Sequence, residues 1–152
     1  MVLRVLRVLL LCSFALSLAA CGSDTTSSSE AATPTGAEIS EDTVGATVKD
    51  FAISLDASKV AAGDVTFDVH NDGPSTHEFV VIKTDRAPDA LPLNAEGDGV
   101  DEDQVEPVGE AEDIAAGTDA SFTATLDPGS YVVICNITSH YEAGMHTALT
   151  VS

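Results

Sequence analysis

The sequence predicts an all-β domain, a β-sandwich, on three observations. After the first forty or so residues, apolar side chains recur at every second position over short runs. Turn-forming groups such as "NDGPST" and "DPGS" separate those runs. Past residue 43 no stretch carries a long amphipathic helical period.

The chain has 152 residues, room for one domain of ordinary size. Residues 1–20 stand apart from it as an export signal: Arg4 and Arg7 make a positive start, "VLLLCSFALSLAA" is an apolar core of signal-peptide length, and Ala19 and Ala20 lead into Cys21. The run is too short and too close to the start for a permanent spanning helix, which needs about 20 apolar residues with suitable flanks. The ending "LAAC" resembles the bacterial lipobox, which implies that Cys21 is lipidated and becomes the mature N-terminus; an ordinary cleavage site followed by cysteine is the alternative. Several acyl chains anchor stably where a single one binds only marginally. From Gly22 to Thr43, Ser, Thr, Ala and acids dominate and large apolar residues are too few to fold. Residues 21–43 therefore form a lipidated cysteine and flexible linker, and 44–152 the domain.

Within the domain, "VKDFAISL" reads as a strand with Val48 on one parity and Phe51, Ile53 and Leu55 on the other. "GDVTFDVHNDG" alternates cleanly, with Val65, Phe67 and Val69 facing in, Thr66, Asp68 and His70 facing out, and a turn at Asn71 to Pro74. "HEFVVIKT" is continuously apolar, as expected of a strand buried on both faces. "ASFTATL", the turn "DPGS", "YVVICN" and "HTALTVS" complete about six strands in an antiparallel pattern.

Residues 85–113 break the rhythm with eleven acids against one arginine, longer than most loops, and read as a mobile acidic insertion on the surface. The cluster Asp98, Asp101, Glu102 and Asp103 lacks the alternating oxygens and glycine of an EF-hand, so calcium is disfavoured.

Loss of the signal leaves four bases against all 25 acids, a formal charge of −21. Nucleic acid is excluded as a partner. Such acidity keeps a surface solvated and can also steer a basic protein partner toward it. Of the three cysteines, Cys12 leaves with the signal and Cys21 is blocked by lipid, so Cys135 has no partner. In an oxidising exported compartment a lone thiol calls for burial, pairing between chains or a metal.

The segment "CNITSHYEAGM" favours the metal. Cys135 closes an apolar strand, and His140 and Met145 follow at intervals of five, so one turn of the loop can aim all three inward. His77, at the start of a strand after "NDGPST", is the candidate fourth ligand. Zinc in structural sites takes Cys and His without Met, and hard ions take oxygen. One thiolate, two imidazoles and a weak axial thioether describe a blue-copper site. The competing reading is a buried inert Cys135, a core Met145 and a surface His140. His70 falls on the solvent parity, and His146 would point away from Met145.

"NDGPSTHEFVVI" together with "GSYVVICNITSHYEAGMHTALTV" resembles the cupredoxins, the group of plastocyanin, azurin, rusticyanin and sulfocyanin, and especially bacterial copper lipoproteins of plastocyanin/azurin type. The likeness runs from about Val44 to Ser152, and the Cys-x4-His-x4-Met loop, rusticyanin-like in length, is its most specific part. It implies a Greek-key sandwich or barrel and one copper ion per chain, held by Nδ1 of His77 and His140, the thiolate of Cys135 and, axially, Met145. Two positions depart from the family pattern. Glu78 replaces the asparagine that follows the first histidine, and Thr138 and Ser139 stand where relatives place Pro or Gly before the second. Both bear on redox potential and loop rigidity.

The expected function is that of a lipid-anchored, extracytoplasmic blue-copper protein carrying single electrons, with no enzyme activity of its own. Catalysis lacks a nucleophile motif or spare histidines for a second copper. His140 is the expected electron port, beside a docking patch of Ile137, Tyr141 and Ala143. Its partner would be a cytochrome or membrane oxidoreductase, with nothing demanding an oligomer. Copper storage, resistance or delivery is the rival function, though the mature chain lacks the Met or His clusters such proteins display.

Overall fold

The structure, a computed structural model, describes residues 42–152. The expected export signal, the lipidated Cys21 and nearly all of the linker lie outside the described residues. In chain order the strands are β1 (Asp42–Lys49), β2 (Ala52–Leu55), β3 (Lys59–Val60), β4 (Gly63–Asn71), β5 (His77–Lys83), β6 (Glu106–Ile114), β7 (Asp119–Leu126), β8 (Gly129–Ile134) and β9 (His146–Val151). They form a four-stranded sheet in the order β2-β1-β4-β7 and a five-stranded sheet in the order β3-β9-β8-β5-β6. The predicted all-β sandwich is the observed fold.

Alternation explains the core. Val65, Phe67 and Val69 of β4 are buried, and they meet Phe79, Val81, Val133 and Leu149 of the opposite sheet in one cluster. Each such side chain contributes about 1.5–3 kcal/mol when fully buried. The outward residues of β4 pair instead across the sheet: Asp68 accepts from the Ser121 hydroxyl at 2.7 Å, and His70 Nδ1 lies 2.7 Å from Asp119.

Three expectations change. The pairing is mixed rather than purely antiparallel, since β1 runs parallel to β4 and β3 parallel to β9. After β2 the chain crosses to the second sheet as β3 before returning as β4, and such a crossover brings strands together in the same direction.

The run "VKDFAISL" is two strands, not one. It folds back at Asp50 and Phe51, so that Lys49 pairs with Ala52 and Val48 with Ile53. Phe51 adopts a φ of +62°, in the left-handed region that bulky residues rarely enter. Its ring is 52% exposed, while Ile53, expected on the same parity, is buried.

The acidic insertion is not a loose excursion. β6, which lies within it except for Ile114, pairs with β5, while Leu91 and Val100 are buried against Val80, Ile82, Val132, Ile134 and Tyr141 in a second apolar cluster. The Tyr141 hydroxyl accepts from the Leu91 N–H at 2.9 Å and donates to the Pro88 carbonyl at 2.8 Å. β5 is thus buried on both faces, as its sequence predicts, and the insertion covers the second face.

Candidate metal centre

Two chain segments build the site. Upstream, Asn71 is a fully buried polar residue whose amide donates to the carbonyls of Ser75 and Ile114, both at 2.8 Å, and whose Oδ1 accepts from the Gly73 N–H at 2.9 Å. These bonds fix the "NDGPST" turn and deliver His77 to the start of β5. Downstream, the loop between β8 and β9 is closed at its base by a bond from the Cys135 N–H to the Met145 carbonyl, 3.1 Å. Inside it, His140 N–H reaches the Ile137 carbonyl at 2.8 Å, Met145 N–H the His140 carbonyl at 3.0 Å, and Gly144 N–H the Tyr141 carbonyl at 2.9 Å. Gly144 takes a φ of +101°, which a side chain would oppose, and there the loop turns back into β9.

Ligand-type atoms of His77, Cys135 and His140 converge within 4.8 Å of one another. Cys135 Sγ lies 3.4 Å from Nδ1 of His140 and 3.8 Å from Nδ1 of His77, and the two imidazole centroids are 5.1 Å apart. One ion bonded at about 2.0 Å to nitrogen and about 2.3 Å to thiolate sets N···S edges near 3.5–3.7 Å at ordinary trigonal or tetrahedral angles. The observed edges bracket that range, so the residues fit a shared metal without rearrangement. Cys135 is free and buried. Met145 is fully buried in the same apolar cluster as Cys135. No other group of three or more His, Cys, Asp or Glu among the described residues converges in this way.

Electrostatics suit the same purpose. Burial, and then the charge of His140, hold the His77 imidazole below its ordinary 6.5, so it stays neutral and able to bind. Burial pushes the Cys135 thiol above its ordinary 9.0, opposed by the backbone amides of Glu78 and Ile137. Glu78 N–H donates to Sγ at 3.3 Å. That bond comes from the backbone, so the glutamate in place of asparagine leaves it intact. The Glu78 carboxyl itself is raised, first by burial and then by Glu102, Glu112, Asp113 and Glu110.

The family model for copper-binding proteins of the plastocyanin/azurin family matches residues 40–152. The chain belongs to that family. This cupredoxin resembles a dithionite-reduced auracyanin from Roseiflexus castenholzii at 22% identity, with 74% of this chain and 98% of that one covered and a TM-score of 0.56. Rusticyanin from Thiobacillus ferrooxidans matches at 16% identity over 74% of this chain and 79% of the other, with a TM-score of 0.54. At these identities the two structures speak for the fold alone. No curated protein matches the chain. With the family and the donor set in hand, the cofactor is copper, and His77, Cys135, His140 and Met145 compose a type 1 site.

The surroundings hold residues that the sequence did not flag. Asp50 Oδ1 lies 3.2 Å from His77 Nε2, and the exposed ring of Phe51 stands edge-on to His140 with centroids 5.5 Å apart. Tyr141, expected in a docking patch, is buried, because its hydroxyl is spent on the insertion; Ile137 is half-buried and Ala143 exposed. His146 is half-buried against the Tyr141 ring. The acids suggested for calcium hold protein groups: Asp98 accepts from Asn94, and Asp101 caps the short turn Glu102–Gln104. No signal in the sequence marked Asp50 or Phe51, which sit in a run that reads as one strand.

Proposed function

We propose that this protein is a membrane-tethered carrier of single electrons outside the cytoplasm, anchored through Cys21 and acting without catalysing a reaction itself. One observation supports it above the rest: a buried thiolate donor faces the Nδ1 atoms of two imidazoles on a loop tied at its base to the β-framework. Copper in such a set supplies reversible one-electron chemistry. The chain's part is to hold the donors still, so that the bonding changes little between oxidation states. The Cys135–Met145 backbone bond, the loop turns and the Asn71 hydrogen bonds supply that rigidity.

Access is confined to one edge. His77, Cys135 and Met145 are fully buried, while His140 is half-buried next to exposed Phe51 and Ala143. That arrangement favours electron exchange through the His140 edge over storage or delivery, which need ligands that an acceptor can reach. The partner proposed is a cytochrome or membrane oxidoreductase with a basic docking face, drawn by the acidic surface. The spacer 21–43 gives reach, and tethering raises the local concentration near membrane partners. The protein acts as a monomer.

The test is a visible and electron paramagnetic resonance spectrum of the whole protein after addition of Cu(II). An intense thiolate-to-copper band that disappears in Cys135→Ser is expected. A copper-loaded sample without that band would defeat the assignment.

A further inference from the structure

Asp50 and Phe51, consecutive residues of the β1–β2 turn, each meet a different imidazole of the metal centre. His77 Nε2 is buried and has no hydrogen-bond partner, and the Asp50 carboxylate is 3.2 Å away, within ion-pair distance but outside hydrogen-bond geometry. Gly73 allows this approach. A Cβ there would come within 3.0 Å of both His77 Nε2 and the Lys49 Cα, and within 3.1 Å of the Asp50 nitrogen. The Asp72 N–H bond to the Val48 carbonyl, 2.9 Å, ties the same two segments together. The left-handed φ of Phe51 completes the turn that sets Asp50 over one ring and Phe51 over the other.

We infer that Asp50 is a positioning residue for the copper centre: its carboxylate serves the Nε2–H of His77, keeping Nδ1 unprotonated toward Cys135, and its charge weights the centre toward Cu(II). An imidazole ligand whose far N–H faces a carboxylate is held in one tautomer and is a stronger base. A fixed negative charge stabilises the more positive oxidation state, and a partly dry site strengthens that preference. The inference rests on the copper reading above.

The experiment compares wild type, Asp50→Asn, Asp50→Ala and Glu106→Gln as whole proteins. Asp50→Asn keeps an acceptor oxygen and removes the charge. It is expected to retain the charge-transfer spectrum while the ratio of Cu(II) to Cu(I) affinity falls about tenfold, a rise in midpoint potential of about 59 mV for one electron. Asp50→Ala is expected to raise the potential at least as far. In its metal-free form, nitrogen-15 spectra are expected to show His77 in mixed tautomers, where wild type shows Nε2–H alone. Glu106→Gln removes one exposed acid that pairs with Lys83, at the end of β5 opposite His77, and is expected to leave the potential in place. Wild-type potentials in both Asp50 variants with an unchanged His77 tautomer would overturn the inference. So would a Glu106→Gln shift equal to that of Asp50→Asn, which would assign the effect to net charge. A wild type without the charge-transfer band sinks the function reading instead, and the metal-free tautomer then still decides whether Asp50 orients His77.

Discussion

Asn136 holds Val100 by both ends of its side-chain amide, Oδ1 accepting from the Val100 N–H at 2.7 Å and Nδ2 donating to the Val100 carbonyl at 3.1 Å. Nδ2 also reaches Glu102 at 2.7 Å. Since Asn136 directly follows Cys135, this contact ties the acidic insertion to the copper loop. The Ser139 N–H adds a second tie, to the Asp98 carbonyl at 2.6 Å.

Replacing Asn136 with Ala leaves the Val100 backbone groups without their partner. Stability of the metal-free protein should fall by about 1–3 kcal/mol, read from denaturant unfolding, and copper should leave faster to a chelator. Asn136→Asp loses the donor and sets a like charge against Glu102, so it should not rescue the loss. Wild-type stability and copper release in both variants would show that the insertion is only attached, not supporting.

Ser139 carries a φ of +67° immediately before His140. The left-handed conformation costs an L-residue about 1–2 kcal/mol, and glycine escapes it at a smaller entropic cost of about 0.5–1 kcal/mol. Ser139→Gly should therefore stabilise the protein by roughly 0.5–1 kcal/mol, while Ser139→Ala should not. Thermal unfolding of the two variants separates them.

Copper loading should release about one proton near pH 7.5. Burial raises the Cys135 thiol, so the metal-free site holds that proton, while His77 is already neutral. Apparent affinity should then climb about tenfold per pH unit until the thiol ionises. Indicator-dye titration in weak buffer measures the proton, and Cys135→Ser should abolish it. The raised thiol also contributes stability to the metal-free fold that is present below about pH 9.0 and lost as pH rises further.

Acid should weaken the metal-free protein through His77. Its folded pKa is depressed, so the unfolded chain binds the proton more readily; the contribution to stability is complete above pH 6.5 and is lost as pH falls below it toward the folded value. Glu78, raised in the fold, acts with the opposite sign, its contribution present below 4.5 and lost as pH rises through the folded value. Urea unfolding of wild type and His77→Gln at pH 7.5 and 5.5 isolates the histidine. A wild-type loss no larger than that of the variant would remove His77 as the cause.

Much of the sandwich was legible because a half-buried strand writes its environment at every second residue, as β4 does from Val65 to Val69. The metal set was legible for a related reason. Cys135, His140 and Met145 lie within eleven residues, so one loop sets their relation, and a donor set of one thiol, two imidazoles and one thioether selects copper by its chemistry.

By itself, then, the sequence determined the all-β class, the alternation of strands such as β4, the candidate donor residues and the metal they suit, because each rests on local periodicity or ligand chemistry. Only the tertiary structure decided that strands join in parallel across the two sheets, that Leu91 and Val100 turn an acidic insertion into a second core, and that Asp50 and Phe51 sit over the two imidazoles. Those relations join residues far apart in the chain, with Asp50 27 positions before His77 and Phe51 89 before His140. No period or motif spans such distances; a fold back at a strained phenylalanine and the close approach that Gly73 permits exist only once the sheets have packed.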